Sequence, residues 1–324
     1  MAGAHAEARA IQVALKLGIF ELLARGSQGD SGIAARLGTD PRATLLLANA
    51  MVALGLLEKH QGDYRLSAAA DRYLVKSSPE YLGGMILFDE AIFPYWATLE
   101  DSIRSGASAR APDMFQSAPE DTERFIRAMD SLTRARGDAA WVADHLDLAG
   151  VRTIADLGGG PGTYLAAILR RHSKIEGAIW DLPATLKVTR RILTEREPGT
   201  MARIELVEVD YLKASLPGPV DAVFMSNIVH SEPETDNARL MAKCFDAIAP
   251  GGLIALKDHV MNRDLTDPRA GAIFSLYLLL TTRGRDYSFD EIAGWLGAAG
   301  FVDTKMHRLP NPPFSSSLVT ARRP

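Results

Sequence analysis

Between residues 150 and 260, short apolar runs that end at polar residues alternate with stretches whose apolar residues recur at helical spacing. The runs that end at Asp156 and Asp181, and the runs over 204–212, 220–230 and 252–258, predict strands. The stretches over 163–171 and 234–249 predict helices. Strands alternating with helices indicate an α/β fold with a doubly wound, mostly parallel sheet, whose ligand lies at the carboxyl ends of the strands.

The first 80 residues follow a different pattern, in which helices come first and a hairpin follows. Helical spacing over 7–25, a short glycine-ended helix over 30–38, a helix over 41–54 and two short strands about 61–62 predict a winged-helix domain over residues 1–80. A DNA-binding regulator would place such a helix in the major groove.

The helix over 41–54 argues against that use. It has a single cation, Arg42, and is apolar on more than one face, whereas a groove reader needs several polar and cationic contacts. We therefore predict that this domain forms a homodimer, and a DNA-binding regulator is the alternative from another functional class.

The segment Asp-Leu-Gly-Gly-Gly-Pro-Gly over 156–162 connects a predicted strand to a predicted helix. Gly158, Gly160 and Gly162 allow a close approach of ligand to backbone. A dinucleotide fingerprint has its third glycine three residues after the second, but here the gap is two, and the loop has no lysine for a triphosphate. Asp156 suits a cation, such as the amino group and sulfonium of S-adenosylmethionine. The alternative is an ordinary strand-to-helix turn.

Acidic residues follow the next two strands as well. Asp181 lies about twenty residues past the loop, where nucleotide-binding folds place a carboxylate on ribose hydroxyls, and Asp210 ends the following strand. Because the carboxyl ends of parallel strands share one edge of the sheet, three such aspartates predict one crevice.

The motifs DLGGGPG, IWDLP, VEVDYL, FMSNIVHSEPETDN and APGG, in this order, resemble those of class I S-adenosylmethionine-dependent methyltransferases. The chain is most similar to the caffeate and acetylserotonin O-methyltransferase group, including its bacterial members, over nearly its whole length. The resemblance implies a Rossmann-like seven-stranded sheet whose last strand is antiparallel, closed by a hairpin of 302–308 and 316–321 around 311–313. It also implies a dimerisation domain over 1–80 and a methyltransferase domain over 81–324, divided into an acceptor-site segment over 81–146 and a cofactor-binding core over 147–324.

The resemblance assigns the cofactor site to Asp156, Gly158, Gly160, Asp181, Leu182, Asp210, Tyr211 and Ser226. Helices predicted over 81–106 and 119–146 carry aromatic and methionine residues, which at helical spacing are more often core than ligand site. Related enzymes line the acceptor site with such residues, so the resemblance implies a planar apolar acceptor near Phe93, Phe125, Met129 and Tyr277.

His230 matches the family's general base, and Asp258 and Asp286 match two carboxylates that flank it. His259 is the competing base because it follows Asp258. Asp286 has a second interpretation, as a cap of the helix predicted over 289–299.

Two positions depart from the family pattern. Ser231 replaces an aspartate beside the base, and Ser226 replaces a lysine on the fourth strand. We predict methyl transfer to oxygen of an aromatic or polyketide-like metabolite. The alternatives are transfer to carbon or nitrogen, and chemistry that uses the cofactor without methylation.

Composition agrees with an enzyme that acts on a small molecule. The chain has 324 residues, 47% hydrophobic content, a net charge of -4 and a pI near 6.0, which give no general attraction for nucleic acid or anionic lipid. No apolar run reaches the length of a membrane span, so we expect a cytoplasmic protein. The single Cys244 lies in a predicted helix and is expected to be buried. We expect no metal site, because Asp181, Asp210 and Asp258 lie on different strands.

Overall fold

The computed structural model describes residues 3–310 and 316–324. The chain divides into two compact units. The N-terminal unit contains the residues up to Pro94 together with Arg127–Arg136, and the C-terminal unit contains Tyr95–Ile126 and the chain from Gly137 onward.

The N-terminal unit follows the predicted order of helices and a hairpin. Its elements are α1 (Ala4–Leu17), α2 (Ile19–Leu23), β1 (Gln28–Gly29), α3 (Asp30–Leu37), α4 (Pro41–Ala53), β2 (Leu57–His60), β3 (Asp63–Leu66), α5 (Ala68–Leu74) and the start of α6 (Gly83–Trp96). Strands β2 and β3 pair antiparallel, and β1 pairs with β3. The prediction of one helix over 7–25 is wrong, because Gly18 takes a left-handed conformation (φ 85°) that ends α1.

The two helices predicted over 81–106 and 119–146 are also each divided. α6 ends at Trp96, two residues after Pro94, and α7 (Leu99–Ser105) follows. α8 (Pro119–Arg136) and α9 (Asp138–His145) are separated by Gly137, which is again left-handed (φ 69°). Apolar spacing continues across both breaks, so periodicity alone did not reveal them.

The C-terminal unit contains the predicted sheet. Its elements are β4 (Thr153–Leu157), α10 (Thr163–Arg171), β5 (Glu176–Asp181), α11 (Pro183–Arg196), α12 (Pro198–Met201), β6 (Ile204–Glu208), β7 (Val220–Ser226), α13 (Glu234–Ala247), β8 (Ile248–Met261), α14 (Arg269–Thr281), β9 (Tyr287–Ser288), α15 (Phe289–Ala299), β10 (Val302–Arg308) and β11 (Ser316–Arg322). Seven strands follow the order β10-β11-β8-β7-β4-β5-β6, and β9 pairs with β8 off this path.

Strand β11 runs antiparallel to both β8 and β10, whereas β4 to β8 pair in parallel. The predicted seven-stranded sheet with an antiparallel last strand is therefore confirmed, and the turn predicted at 311–313 lies outside the described residues. Each face of the sheet is covered by a hydrophobic cluster, and Cys244 on α13 is fully buried in one of them, as predicted. Within the described part of the chain, no helix is long and apolar enough to cross a membrane.

Candidate active site

The glycine loop leaves the end of β4 and leads into α10. Gly158 and Gly160 have left-handed φ angles of 62° and 53°. A Cβ at Gly158 would lie 2.4 Å from Cδ1 of Ile228, whereas a Cβ at Gly160 would have no neighbour closer than 3.9 Å. Gly160 therefore has room for a small side chain, with its nearest neighbours at ordinary van der Waals distance.

Asp181, the last residue of β5, faces this loop. Its carboxylate accepts hydrogen bonds from the amides of Gly160 (2.8 Å) and Leu182 (2.7 Å). Burial raises the pKa of Asp181 to about 6. The amide bonds from Gly160 and Leu182 favour the ionised carboxylate but only partly offset burial.

Asp156 lies beneath the loop, because a Cβ at Gly159 would fall 2.8 Å from its carboxyl carbon. It is only 1% exposed, and burial together with the nearby charge of Asp181 raises its pKa well above the ordinary range. In the predicted pairing, Asp156 would therefore have to reach the cofactor's amino group from below the glycine loop. It stays a prediction.

The other predicted cofactor residues lie at the same edge of the sheet. Asp210 follows β6, and although burial opposes it, the bond from Lys213 (2.7 Å) holds the pKa of Asp210 below its usual range. Tyr211 donates its hydroxyl to Glu232 at 3.1 Å. Ser226 is the last residue of β7. β7 is shorter than predicted and ends four positions before His230.

His230 lies in a 3-10 helix, Val229–Ser231, that follows β7. Its Nδ1 is 2.6 Å from Oδ1 of Asp258 on β8, and both side chains are buried. Burial alone would lower the pKa of His230, but the Asp258 charge and hydrogen bond raise it above its usual value. With Nδ1–H directed at Asp258, the other ring nitrogen, Nε2, is the one that can accept a proton.

Asp286 reaches the same cluster from the segment between α14 and β9. Its Oδ1 lies 3.9 Å from Nδ1 of His230, and its backbone amide donates a hydrogen bond to the hydroxyl of Ser275. Gly284 lets this segment lie against the His230 turn, since a Cβ there would be 2.3 Å from the carbonyl oxygen of His230. The sequence analysis did not predict this contact between Gly284 and the His230 turn. Its signal in the sequence is a glycine between two arginines, Arg283 and Arg285.

The alternative interpretation of Asp286 as a helix cap is wrong. α15 is capped by Ser288, which forms a reciprocal capping box with Glu291. Asp286 is fully buried, and neither of its oxygens has a hydrogen-bond partner among the described residues. Its carboxylate therefore lies beside His230 and does not cap α15.

Phe274 on α14 joins this cluster and was missed at the level of sequence. Its ring meets His230 edge-on at 5.5 Å and His259 at 5.0 Å, and it stacks on Tyr277 at 5.1 Å. Phe274 and Tyr277 are three residues apart on one helix, which places their rings on the same face. The predicted acceptor residue Tyr277 is thereby brought next to the base through Phe274.

The remaining predicted acceptor residues lie in different parts of the chain. Phe125 belongs to the C-terminal unit, where it stacks on Phe115 at 4.7 Å. Phe93 and Met129 belong to the N-terminal unit, and Phe93 is 40% exposed. Their role in acceptor binding stays a prediction.

A buried lysine also lies close to the base. Lys257, which precedes Asp258 on β8, is 1% exposed, and its Nζ is 3.4 Å from Asp138 on α9 and 3.4 Å from Asn227. It is the register partner of Ser226 on β7, so both residues point to the same face of the sheet. Its signal in the sequence was a charge inside an apolar strand.

His230, Asp258 and Asp286 place potential metal-ligand atoms within 4.8 Å of one another. The expectation of no metal site rested on Asp181, Asp210 and Asp258 lying on different strands, and it did not include the grouping of Asp258 with His230 and Asp286. The 2.6 Å between His230 and Asp258 is the length of a charge-assisted hydrogen bond and leaves no space for an ion between those two atoms. A metal ion bound by these two atoms would require them to move apart.

A doubly wound sheet with an antiparallel last strand, a glycine loop at its carboxyl edge and a histidine–carboxylate pair beside that loop defines an enzyme of the class I methyltransferase fold. The family model of the O-methyltransferase domain matches residues 96–302, and that of the O-methyltransferase dimerisation domain matches residues 1–76. The chain belongs to the O-methyltransferase family. The resemblance inferred from the motifs is confirmed.

Similar proteins cover almost the whole chain. It is 32% identical over 310 residues to 3-hydroxy-5-methyl-1-naphthoate 3-O-methyltransferase of Streptomyces sahachiroi, covering 93% of this chain and 88% of that protein. It is 31% identical to the tetracenomycin polyketide synthesis 8-O-methyl transferase TcmO of Streptomyces glaucescens, covering 98% and 93%. The crystal structure of human N-acetylserotonin methyltransferase in complex with SAM superposes with a TM-score of 0.90 at 22% identity over 99% and 95%, a likeness of fold.

Proposed function

We propose that this O-methyltransferase transfers the methyl group of S-adenosylmethionine to a hydroxyl group of a small aromatic or polyketide-like molecule, with His230 as the general base. The observation that carries this proposal is the buried His230–Asp258 pair, whose nitrogen and oxygen are 2.6 Å apart. A neutral histidine fixed in this way has one ring nitrogen free to accept a proton.

The residues at the edge of the sheet fit S-adenosylmethionine. Asp181 offers carboxylate oxygens to ribose hydroxyls, Asp210 lies where the adenine is expected, and the loop at Gly160 has no protein atom closer than 3.9 Å to a Cβ built there. Leu182, Tyr211 and Ser226 would complete the contacts. When bound, the cofactor supplies an electrophilic methyl group.

The protein's own contribution is to orient the acceptor and remove its proton. A phenol has a pKa of about 10 in water. A base whose pKa is near neutrality is therefore effective when it takes the proton as the methyl group moves. Nε2 of His230 would accept that proton, while Asp258 and Asp286 stabilise the imidazolium that forms. The Phe274 ring lies edge-on against His230 and would shield this side of the base from water.

The acceptor class is supported by the relatives and by the aromatic pair on α14. The two bacterial relatives are named for a hydroxynaphthoate and a polyketide, and stacked Phe274 and Tyr277 offer a flat apolar wall.

A homodimer is supported by the matching dimerisation domain and by Leu46 on α4, an apolar residue that is 58% exposed. The acceptor is therefore a small molecule, and the first unit serves assembly and does not read DNA.

A panel assay tests this proposal. The purified protein is incubated with S-adenosylmethionine and hydroxylated naphthoates or anthracyclic polyketides, each paired with its amino analogue, and products are analysed by mass spectrometry and NMR. We expect an O-methyl product from at least one hydroxylated compound, and strongly reduced product with His230→Ala. A product methylated at nitrogen or carbon, or full activity of the alanine variant, would contradict the assignment.

A further inference from the structure

We propose that His259 is a positioning residue for the base: its ring Nδ1–H faces Asp286 and holds the negative charge of that carboxylate away from His230. Nδ1 of His259 lies 3.5 Å from Oδ2 of Asp286, on the opposite carboxylate oxygen from the one that faces His230 at 3.9 Å. This inference rests on the proposed role of His230. Asp286 thus lies between two imidazoles.

His259 also contacts the second carboxylate. Its backbone amide donates a hydrogen bond of 2.8 Å to Oδ1 of Asp258, the same oxygen that faces Nδ1 of His230. The two imidazole centroids are 6.1 Å apart, and Phe274 packs edge-on against both. His259 therefore contacts both carboxylates that determine the protonation of the base. It contacts Asp286 through its ring and Asp258 through its backbone amide.

The charges around His230 explain what the contact between His259 and Asp286 does. The groups that face His259 are His230 from the turn after β7, Asp258 and Lys257 from β8, and Asp286 from the segment before β9. Two carboxylates beside one base would bind its proton tightly and leave it protonated at neutral pH. The His259 ring is a hydrogen-bond donor on the side of Asp286 away from His230. It weakens the hold of the Asp286 charge on the His230 proton without adding a charge.

His259 is suited to be such a neutral donor. Burial lowers its pKa below the usual histidine value, so it is uncharged when the base works. The distance of 3.5 Å is long for a hydrogen bond, and contacts of this kind commonly shorten when an active site is filled. The arrangement therefore acts on the proton affinity of His230 and not on the acceptor itself.

A pair of substitutions separates this role from packing. In His259→Asn, the side-chain NH₂ takes the place of Nδ1–H and the ring is lost, whereas in His259→Phe the ring is kept and the donor is lost. The readout is an NMR titration of the His230 ring in the protein bound to S-adenosylhomocysteine, supported by the pH profile of turnover. The NMR titration needs no acceptor, so it remains informative if the proposed function fails.

We expect His259→Phe to raise the pKa of His230 by roughly one unit, equivalent to a tenfold tighter hold on the proton. His259→Asn should leave it close to the native value. If the phenylalanine variant leaves the pKa of His230 unmoved or lowers it, or if the asparagine variant is the more disturbed of the two, His259 only packs. Should His259→Phe fail to fold, His259→Gln, whose amide reaches the Nε2 position instead, replaces it and should raise the pKa likewise.

Discussion

The carboxylate of Asp181 accepts a hydrogen bond from the backbone amide of Gly160 at 2.8 Å. These residues belong to two motifs about twenty positions apart, and the bond connects the end of β5 to the glycine loop. The carboxylate proposed to bind ribose therefore already holds the loop. Each carboxylate oxygen has a second acceptor position for a ribose hydroxyl, so a substitution of Asp181 is expected to change both cofactor affinity and the stability of the free protein.

Replacing Asp181 by Asn should weaken S-adenosylhomocysteine binding at least tenfold, and the stability of the free variant relative to the native protein should rise with pH. A carboxyl whose folded pKa is raised contributes stability that is present below its unfolded pKa and is lost as the pH rises through about 6. Asn does not titrate, so this relative rise is at most about 3 kcal/mol, on top of a constant loss because Asn keeps only one of the two oxygens that accept the amides of Gly160 and Leu182. Calorimetry and thermal unfolding at pH 5 and 8 measure both effects.

The matched control for this experiment is Asp210→Asn. The pKa of Asp210 is lowered, so its substitution should remove stability at pH 8 and should show no relative gain between pH 5 and pH 8. A stability difference between Asp181→Asn and the native protein that is the same at pH 5 and pH 8 would contradict the interpretation.

Gly160→Ala and Gly162→Ala should fail in different ways. Both glycines have left-handed φ angles, so both substitutions carry a similar backbone strain of about 1 to 2 kcal/mol. A Cβ at Gly162 would also lie 2.8 Å from Cδ1 of Ile179, whereas at Gly160 its nearest neighbour would be 3.9 Å away. We expect Gly162→Ala to lower the melting temperature further, and Gly160→Ala to lose more cofactor affinity than stability. Equal melting temperatures and equal affinities would refute the assignment of Gly160 to the cofactor site.

The order of strands and the residues at their ends could be predicted from sequence because both rest on local pattern. Asp181 and His230 follow apolar runs, and the carboxyl ends of parallel strands share one edge. The breaks at Gly18 and Gly137 could not be predicted in the same way, since apolar spacing continues through them and only the backbone conformation ends the helix. Phe274 was missed because its contact with the base depends on how α14 packs, which periodicity does not specify.

His230→Ala should retain cofactor affinity and lose roughly 10² to 10⁴ in turnover, the usual contribution of general base catalysis. Because the pKa of His230 is raised, native turnover should fall as the pH drops through a value above 6.5. Asp258→Asn should move this acid limb to lower pH, since the carboxylate is what raises that pKa. A steady-state pH profile checks both variants, and an acid limb that survives in His230→Ala would assign it to another group.

Leu46→Asp should convert a dimer to a folded monomer. Leu46 is 58% exposed on α4, whereas Leu56 packs against the hydrophobic core of the same unit. A charge at Leu56 should therefore unfold the unit and not merely separate subunits. Sedimentation with circular dichroism distinguishes the two results. A native protein that sediments as a monomer at micromolar concentration would exclude this interface.

Prolonged dialysis against EDTA should leave turnover unchanged. The nitrogen of His230 nearest to the carboxylates is held by Asp258 at hydrogen-bond distance, which favours a proton at that position over a metal ion. Activity is measured before and after chelation, and after addition of Mg²⁺ or Zn²⁺. Loss of turnover that one of these ions restores would show that His230, Asp258 and Asp286 bind metal.

The buried pair of Lys257 and Asp138 has a consequence for how this sequence can drift over evolutionary time. Removing one partner would leave the buried charge of the other less well compensated, at a cost of up to about 5 kcal/mol, whereas replacing both by apolar residues is often neutral. A substitution at either position is therefore tolerated only when the other position is substituted as well. Lineages that carry the pair should keep or lose both members together, and reconstructed ancestors with a single member should be rare.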